Sequence, residues 1–355
     1  MGGRGYWPAA PPVTKLPLDL CDREENTVPP MRRRGALLAL PSLLTAGPGG
    51  PAARAAEWPT RPVRILVGFA PGGFTDILAR TIAPALSARF GQPFVVENRP
   101  GAAGVLAAEA VAKAPPDGHT LLLAHPTAVS IAPALAQRLP FDAAAAFAPV
   151  TLLAMQPHLL IVKGDSPWRG VQDLVADARA RPGAVTYGSS GVGSVQHVAG
   201  EVFAAATGAE FTHVPYRGSA PTMADIAAGQ VGFAIDGVAV SAPMIGAGQL
   251  RALAASVERR AARFPDVPTL AEAGVPGVAI GSWFGLIAPA GTPPAVVEAL
   301  RGAAVQALEG PEALRVLRAA SAEPVGSTPA EFAVFIAAET ARYRRLSART
   351  RITLD

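Results

Sequence analysis

From Trp58 onward, short apolar runs alternate with longer segments whose apolar positions recur with a helical period. The first pattern predicts strands and the second predicts helices that bury one face. Residues 63–69 (VRILVGF) read as a strand, 75–88 as a helix, 94–97 as a strand, 102–113 as a helix and 120–124 (TLLLA) as a strand. A second series of strands follows at 159–163, 185–189, 211–216 and 231–236, each trailed by a helix-length segment, with a further strand at 250–257. Helices dominate the C-terminal part, over 294–308, 312–319 and 329–346. Alternation of this kind builds βαβ units around parallel sheets, an α/β architecture.

Pro140, Pro149 and Pro157 punctuate residues 139–158, which therefore read as a linker. A second crossing rich in Pro and Gly falls at 266–281. Two crossings predict one lobe built from both ends of the chain, residues 56–157 with 278–355, and another, residues 158–277, inserted between them. Residues 275–291 (VPGVAIGSWFGLIAPAG) carry no charge, but Pro276, Pro289 and four glycines mark strands and turns, not a membrane-spanning helix.

The first 55 residues follow different rules. Met31 opens a segment with a positive start at Arg32, Arg33 and Arg34, a short apolar run over 35–46 (GALLALPSLLTA), and small residues at Ala53 and Ala55. That is the layout of a secretory signal peptide over residues 31–55, with cleavage after Ala55. The apolar run is shorter than the about 20 residues a bilayer span needs. Residues 1–30 precede the positive start and have no periodicity, so Met31 is the expected start of translation, with a disordered extension as the alternative. Export through such a signal places the protein in the periplasm; the choice between the general and twin-arginine routes stays open.

Cys21, the single cysteine, lies in this upstream segment. The exported chain would have no thiol, which excludes disulfides, thiolate metal sites and a cysteine nucleophile. Charge narrows the function further. Residues 1–55 hold seven Lys and Arg against four Asp and Glu, so of the 31 and 27 in the whole chain, 24 and 23 remain from Ala56 onward. A nearly neutral chain offers no basic stripe for phosphate backbones, and nucleic acid is not an expected partner. His119, His125, His158, His197 and His213 lack metal-ligand spacing, so neither a metal nor another cofactor is expected.

Three loops fall at the ends of predicted strands, where open α/β sheets bind ligands. Residues 70–76 (APGGFTD) pair two glycines with a helix start, whose unpaired N–H groups suit a carboxylate. Equally, this is a plain turn capped by Thr75 or Asp76. Residues 187–197 (YGSSGVGSVQH) supply glycines and hydroxyls for a second polar group. They complete neither a dinucleotide fingerprint nor a nucleophile elbow, because Val192 stands where the elbow needs glycine. The third loop, 215–219 (PYRGS), precedes a strand ending at Asp236. Arg217 could hold a carboxylate bidentately or simply be solvated; Asp236 could accept a ligand donor or cap the next helix. His125 follows a strand end and could face a cleft.

These motifs resemble a known family. The strand at 63–69 with PGGFTD (71–76), VVENRPGAAG (95–104) and APPDGHTLLLA (114–124) are similar to the tripartite tricarboxylate transporter substrate-binding proteins, the Bug family. The similarity continues through YGSSGVGSVQHVAGEVF (187–203), HVPYRGSAPTMADIAAGQV (213–231), LRALAASVERR (250–260) and FPDVPTLAEAGVPG (264–277). It runs from Trp58 to the C-terminal helices. The resemblance implies a type II periplasmic-binding-protein fold and a monomeric receptor without enzymatic activity. Such a receptor closes on a small carboxylate ligand and passes it to membrane permease subunits. By position, Gly72, Gly73, Thr75 and Asp76 would form one wall of the cleft and Ser189, Ser190, Gly193 and Ser194 the other. Asp236 would help to select the variable part of the ligand, with His125 also at the site. The family more often has a small hydroxyl residue in place of His125 and Lys in place of Arg217, which leaves ligand identity open. Two alternatives stand beside this reading: a serine hydrolase using Ser190 or Ser194 with His197, and a ligand-sensing partner of a membrane receptor.

Overall fold

The computed structural model describes residues 58–135 and 138–350; the expected signal segment at 31–55 and Cys21 lie outside them. The chain runs β1 (Val63–Val67), α1 (Phe74–Phe90), β2 (Phe94–Asn98), α2 (Val105–Ala112), β3 (Thr120–Ala124), a π-helical turn (Thr127–Ile131) and α3 (Ala132–Leu135). Next come β4 (Phe147–Gln156), β5 (His158–Lys163), α4 (Val171–Ala180), β6 (Thr186–Ser189), α5 (Val195–Thr207), β7 (Thr212–Pro215) and α6 (Ser219–Ala228). The remainder is β8 (Phe233–Gly237), α7 (Val238–Gly246), β9 (Leu250–Ala255), β10 (Ser282–Pro289), α8 (Pro294–Leu308), α9 (Pro311–Ala319), β11 (Glu323–Pro324) and α10 (Pro329–Thr350).

Two sheets result, ordered β11-β4-β10-β3-β1-β2 and β7-β6-β8-β5-β9. Helices cover both faces of each, so the central strands are apolar on both sides. In β1 the period of two sorts side chains between cores: Val63, Ile65 and Val67 pack with Leu78, Ile82 and Leu300, while Leu66 packs with Ala107, Val111 and Phe332. The second sheet divides in the same way, with Leu160, Val162, Phe233 and Ile235 on one face and Leu159, Ile161 and Ala234 on the other.

Neither sheet is purely parallel. β10 runs antiparallel to β3 and β4, and β5 runs antiparallel to β8 and β9. These antiparallel strands flank the two places where the chain passes between sheets: β4 ends at Gln156, β5 starts at His158, and β10 re-enters the first sheet at Ser282. The expected linker over 139–158 contains the ten-residue strand β4. Prolines hid it. Pro149 lies opposite Ile287 of β10, whereas on the other side β11 pairs only with Met155 and Ala154. A proline without an N–H is tolerated where a strand has one open edge.

Two segments touch more than one core. In α10, Phe332 joins the core of Leu66 and Trp283, while Tyr343 joins the core of Leu160 and Phe233. The π-helical turn does the same through Val129 and Ile131.

Candidate functional site

A cleft of about 430 Å³, counting space open to solvent, lies between the two sheets. Four helices begin at it. Gly73 is the N-cap of α1, Gln196 lies in the first turn of α5, Ser219 opens α6, and Gly237 is the N-cap of α7. All four line the cleft, together with Phe69, Ala70, Phe74, Thr75, Ala239, Val240 and Phe284. The first N–H groups of a helix have no intrahelical acceptor, and the helix dipole places positive potential there. No Lys or Arg appears among these described lining residues, so any anion in the cleft would meet main-chain and side-chain dipoles, not a cation.

The loop before α1 is shaped by its glycines and by Asp76. Gly72 has φ +91°, a left-handed conformation that a β-carbon disfavours. Asp76 is buried; its Oδ2 accepts from Gly72 N (3.1 Å), and its Oδ1 accepts from Asn98 Nδ2 and Arg80 Nε, each at 2.9 Å. The carboxylate thus ties the loop to the end of β2 and sits behind the lining, whereas Gly73 and Thr75 are part of it.

On the second sheet, Ser190 and Asp236 reach the cleft, while Ser189, Gly193 and Ser194 build the loop behind it. Ser194 caps α5, its Oγ accepting from His197 N at 3.2 Å. Gly193 N donates to His197 Nδ1 at 3.1 Å. Ser190 Oγ lies 3.3 Å from Ser219 Oγ. Neither Ser190 nor Ser194 is therefore paired with His197 as a nucleophile would be with its base. Ser189 does meet a histidine, with Oγ 2.6 Å from His213 Nε2, but Ser189 is fully buried and outside the lining. Burial, then the neighbouring His197, hold His213 down at about 4. Arg217 is exposed and takes no part in the lining; its carbonyl accepts from Ala70 N at 3.4 Å, fastening the third loop to the first.

The base of the cleft is a polar relay that crosses between the sheets. Ser282 Oγ lies 3.0 Å from His125 Nε2 and 2.8 Å from His158 Nε2, and His125 Nδ1 lies 3.0 Å from Thr127 Oγ1. A hydroxyl has one hydrogen and two lone pairs, so at most one ring accepts from Ser282 and at least one donates to it. Burial holds both near 3, with His158 further lowering His125 and the Ile235 backbone opposing for His158. Both are uncharged at neutral pH. Phe69 meets the His125 ring edge-on at 5.1 Å, and Phe284 lies at 5.4 Å.

His125 thus reaches the cleft as its position after a strand end suggested. Gln156, His158, Ser282, Gln196 and Ser219 were missed as site residues. Gln196 and Ser219 stood inside flagged loops, where the glycines and hydroxyls drew attention from them. His158 and Ser282 carry no local signal, because each begins a strand that enters from the other sheet.

Two α/β lobes around a cleft fed by helix N-termini define a solute-binding receptor. The comparisons place it more closely. Residues 78–351 match the model of the "Tripartite tricarboxylate transporter family receptor", and the chain belongs to that family. It is similar to Protein BugT of Bordetella pertussis, 36% identical over 302 residues, 85% of this chain and 92% of that one. Among solved structures, an R. palustris protein with adipate is 40% identical with a TM-score of 0.80, covering 84% of this chain and 99% of its own. The periplasmic binding protein BugD is 30% identical (TM-score 0.80; 83% and 99%). MatC from Rhodopseudomonas palustris with bound malate is 32% identical (TM-score 0.78; 81% and 99%). The family is one of receptors, not enzymes.

Proposed function

We propose that this chain is an exported periplasmic receptor that captures a small carboxylate in the cleft and presents it to the permease subunits of a tripartite transporter. The observation that carries this reading is the convergence of the α1, α5, α6 and α7 N-termini on a cleft without a lysine or arginine in its lining. Such a site holds an anion by directed N–H groups and dipoles. The adipate and malate in related structures support the same class of ligand. Gly73 and Thr75 would face the carboxylate; Ser190, Asp236 and His125 would face the rest of the ligand. Gly72, Asp76, Ser189, Gly193 and Ser194 would hold these groups in place from behind.

The two lobes, 56–157 with 278–355 and 158–277, would close over the ligand, since ligand contacts made only in the closed state shift the equilibrium toward it. Export would depend on the signal at residues 31–55. Mass spectrometry of the small molecules that co-purify from the native host, followed by calorimetric titration of the acid found, tests the reading. A purified protein that binds no carboxylate from a broad panel overturns it.

A further inference from the structure

Behind the second wall of the cleft, outside its lining, two imidazoles are stacked in contact. The rings of His197, on α5, and His213, on β7, have centroids 4.1 Å apart and lie 17° from parallel. Tyr187 of β6 stacks on His213 at 4.9 Å, and its hydroxyl donates to Glu201 Oε1 at 2.6 Å. Glu201 Oε1 in turn lies 3.9 Å from His197 Nε2. β8 and α10 pack on α5 as well; there Asp236 is bonded to Gln196, and Glu339 is paired with Arg342.

Both rings anchor the loop that carries Ser190. Gly193 N donates to His197 Nδ1 at 3.1 Å, so Nδ1 offers a lone pair and the hydrogen of the neutral ring is on Nε2, toward Glu201. His213 Nε2 meets Ser189 Oγ at 2.6 Å, and that oxygen also accepts from Gly191 N at 3.1 Å. Ser190, between these two anchors, lines the cleft. Gly191 at φ +122° and Gly193 at φ +77° give the loop a backbone that can take other shapes once an anchor is lost.

A proton upsets this arrangement. Imidazolium donates at both nitrogens, so a charged His197 would turn an N–H against the Gly193 N–H. Charge on one ring also opposes charge on the other at this separation. Burial, then His197, hold His213 down at about 4, and burial lowers His197 against the pull of Glu201. Both rings are therefore neutral while the loop is in place. A ring freed from this packing returns toward about 6.5, so from about pH 6.5 down to about 4 protons favour the released loop.

We propose that the stacked His197–His213 pair is a proton-operated support of the second wall. Neutral, it holds the 189–194 loop in its binding shape; on taking a proton from solvent at His197, it lets the loop go and weakens the hold on the ligand. This rests on the reading of the cleft as a carboxylate site and adds its regulation by acid.

Two variants separate a switch from a plain support. His197→Asn sets a carbonyl oxygen near the place of Nδ1 and does not titrate, whereas His197→Leu has no acceptor at any pH. Malate and adipate are titrated calorimetrically into the full protein and each variant at pH 7.5 and pH 5, with thermal unfolding checking that each is folded. One proton taken up on release weakens binding by at most about tenfold per pH unit, so wild type should lose about fivefold or more in affinity beyond the loss in His197→Asn. His197→Leu, lacking one hydrogen bond to the loop, should bind about fivefold more weakly already at pH 7.5. Protonation of the acid and of the His125–Ser282–His158 relay is common to wild type and variants and cancels in the comparison. The same pH dependence in wild type and folded His197→Asn overturns the inference and leaves the carboxylate reading intact.

An NMR titration of the wild-type protein needs neither ligand nor variant. The Ser190 and Gly193 amides should shift together with the His197 ring in one transition below about pH 6.5. A ring that stays neutral down to pH 4, or loop amides that stay fixed while it titrates, overturns the inference. If neither acid binds at pH 7.5, nor any other of a broad carboxylate panel, the carboxylate reading fails, and the amide titration alone then decides the loop switch.

Discussion

Gly73→Val tests the first wall with little risk to the fold. Gly73 has φ −77° and ψ 162°, extended values open to any residue. A β-carbon built there meets only the Ala70 carbonyl, at 4.0 Å. Loss of glycine at the N-cap costs a fraction of a kcal/mol to about 1 kcal/mol, so the variant should stay folded, with only a small fall in Tm. Gly72 makes the contrast: at φ +91° any side chain is strained, at a cost of about 1–3 kcal/mol. Because Gly73 lines the cleft, valine methyl groups would occupy the approach to the α1 N–H groups. Losing one charge-assisted hydrogen bond there is worth about 1.5–3 kcal/mol, or about 10- to 150-fold in Kd. The assay is calorimetric titration of wild type, Gly73→Val and Arg217→Ala with the acid that co-purifies. Arg217→Ala should bind nearly as wild type, since Arg217 is exposed and outside the lining. Normal binding by Gly73→Val together with lost binding by Arg217→Ala would refute the assignment and place the carboxylate on a salt bridge instead.

Other perturbations follow from the same geometry. His125 and His158 ionise near pH 3 in the folded protein against about 6.5 when unfolded. The unfolded chain therefore takes up protons first, and stability present above about pH 6.5 falls as pH drops toward 3, by about 1.4 kcal/mol per pH unit for each ring. His125→Asn should then lose about 2 kcal/mol less than wild type between pH 7 and pH 5 in urea titrations; an identical loss contradicts a buried neutral ring. Phe332→Ala, which empties a fully buried site against Trp283 at 5.5 Å, should lower stability by about 3–5 kcal/mol, read from the urea midpoint. Asp76→Ala removes three bonds that tie the α1 loop to Asn98 and Arg80 and should weaken ligand binding about tenfold or more; binding unchanged would mean the loop holds its shape without it. Sequencing the periplasmic form from the native host should find Ala56 first, and residues 1–30 on that form would contradict the expected start.

Local pattern by itself determined a good part of the molecule. The run TLLLA at 120–124 became β3 with those bounds, and the helix read at 294–308 is α8. Both follow from apolar period and length, which a short stretch of chain expresses without help from the rest. The glycines before α1 and the hydroxyls before α5 located the two walls of the cleft, since close backbone approach and helix starts leave a local mark.

Tertiary structure decided the rest. β4 was hidden because its Pro149, and the prolines on either side of the strand, read as a linker, whereas Pro149 is tolerated beside an edge that β11 leaves open. The His125–Ser282–His158 relay joins residues 124 or more positions apart for its Ser282–histidine contacts, and no spacing rule links them. Two antiparallel strands, β5 and β10, carry the chain across between sheets and deliver His158 and Ser282 to the same point. The same holds for the second sheet's side of the cleft: Gln196, Ser219 and Asp236 are ordinary polar residues one by one. Their hydrogen bonds to Asp236 and their place in the lining exist only once β6, β7 and β8 lie side by side.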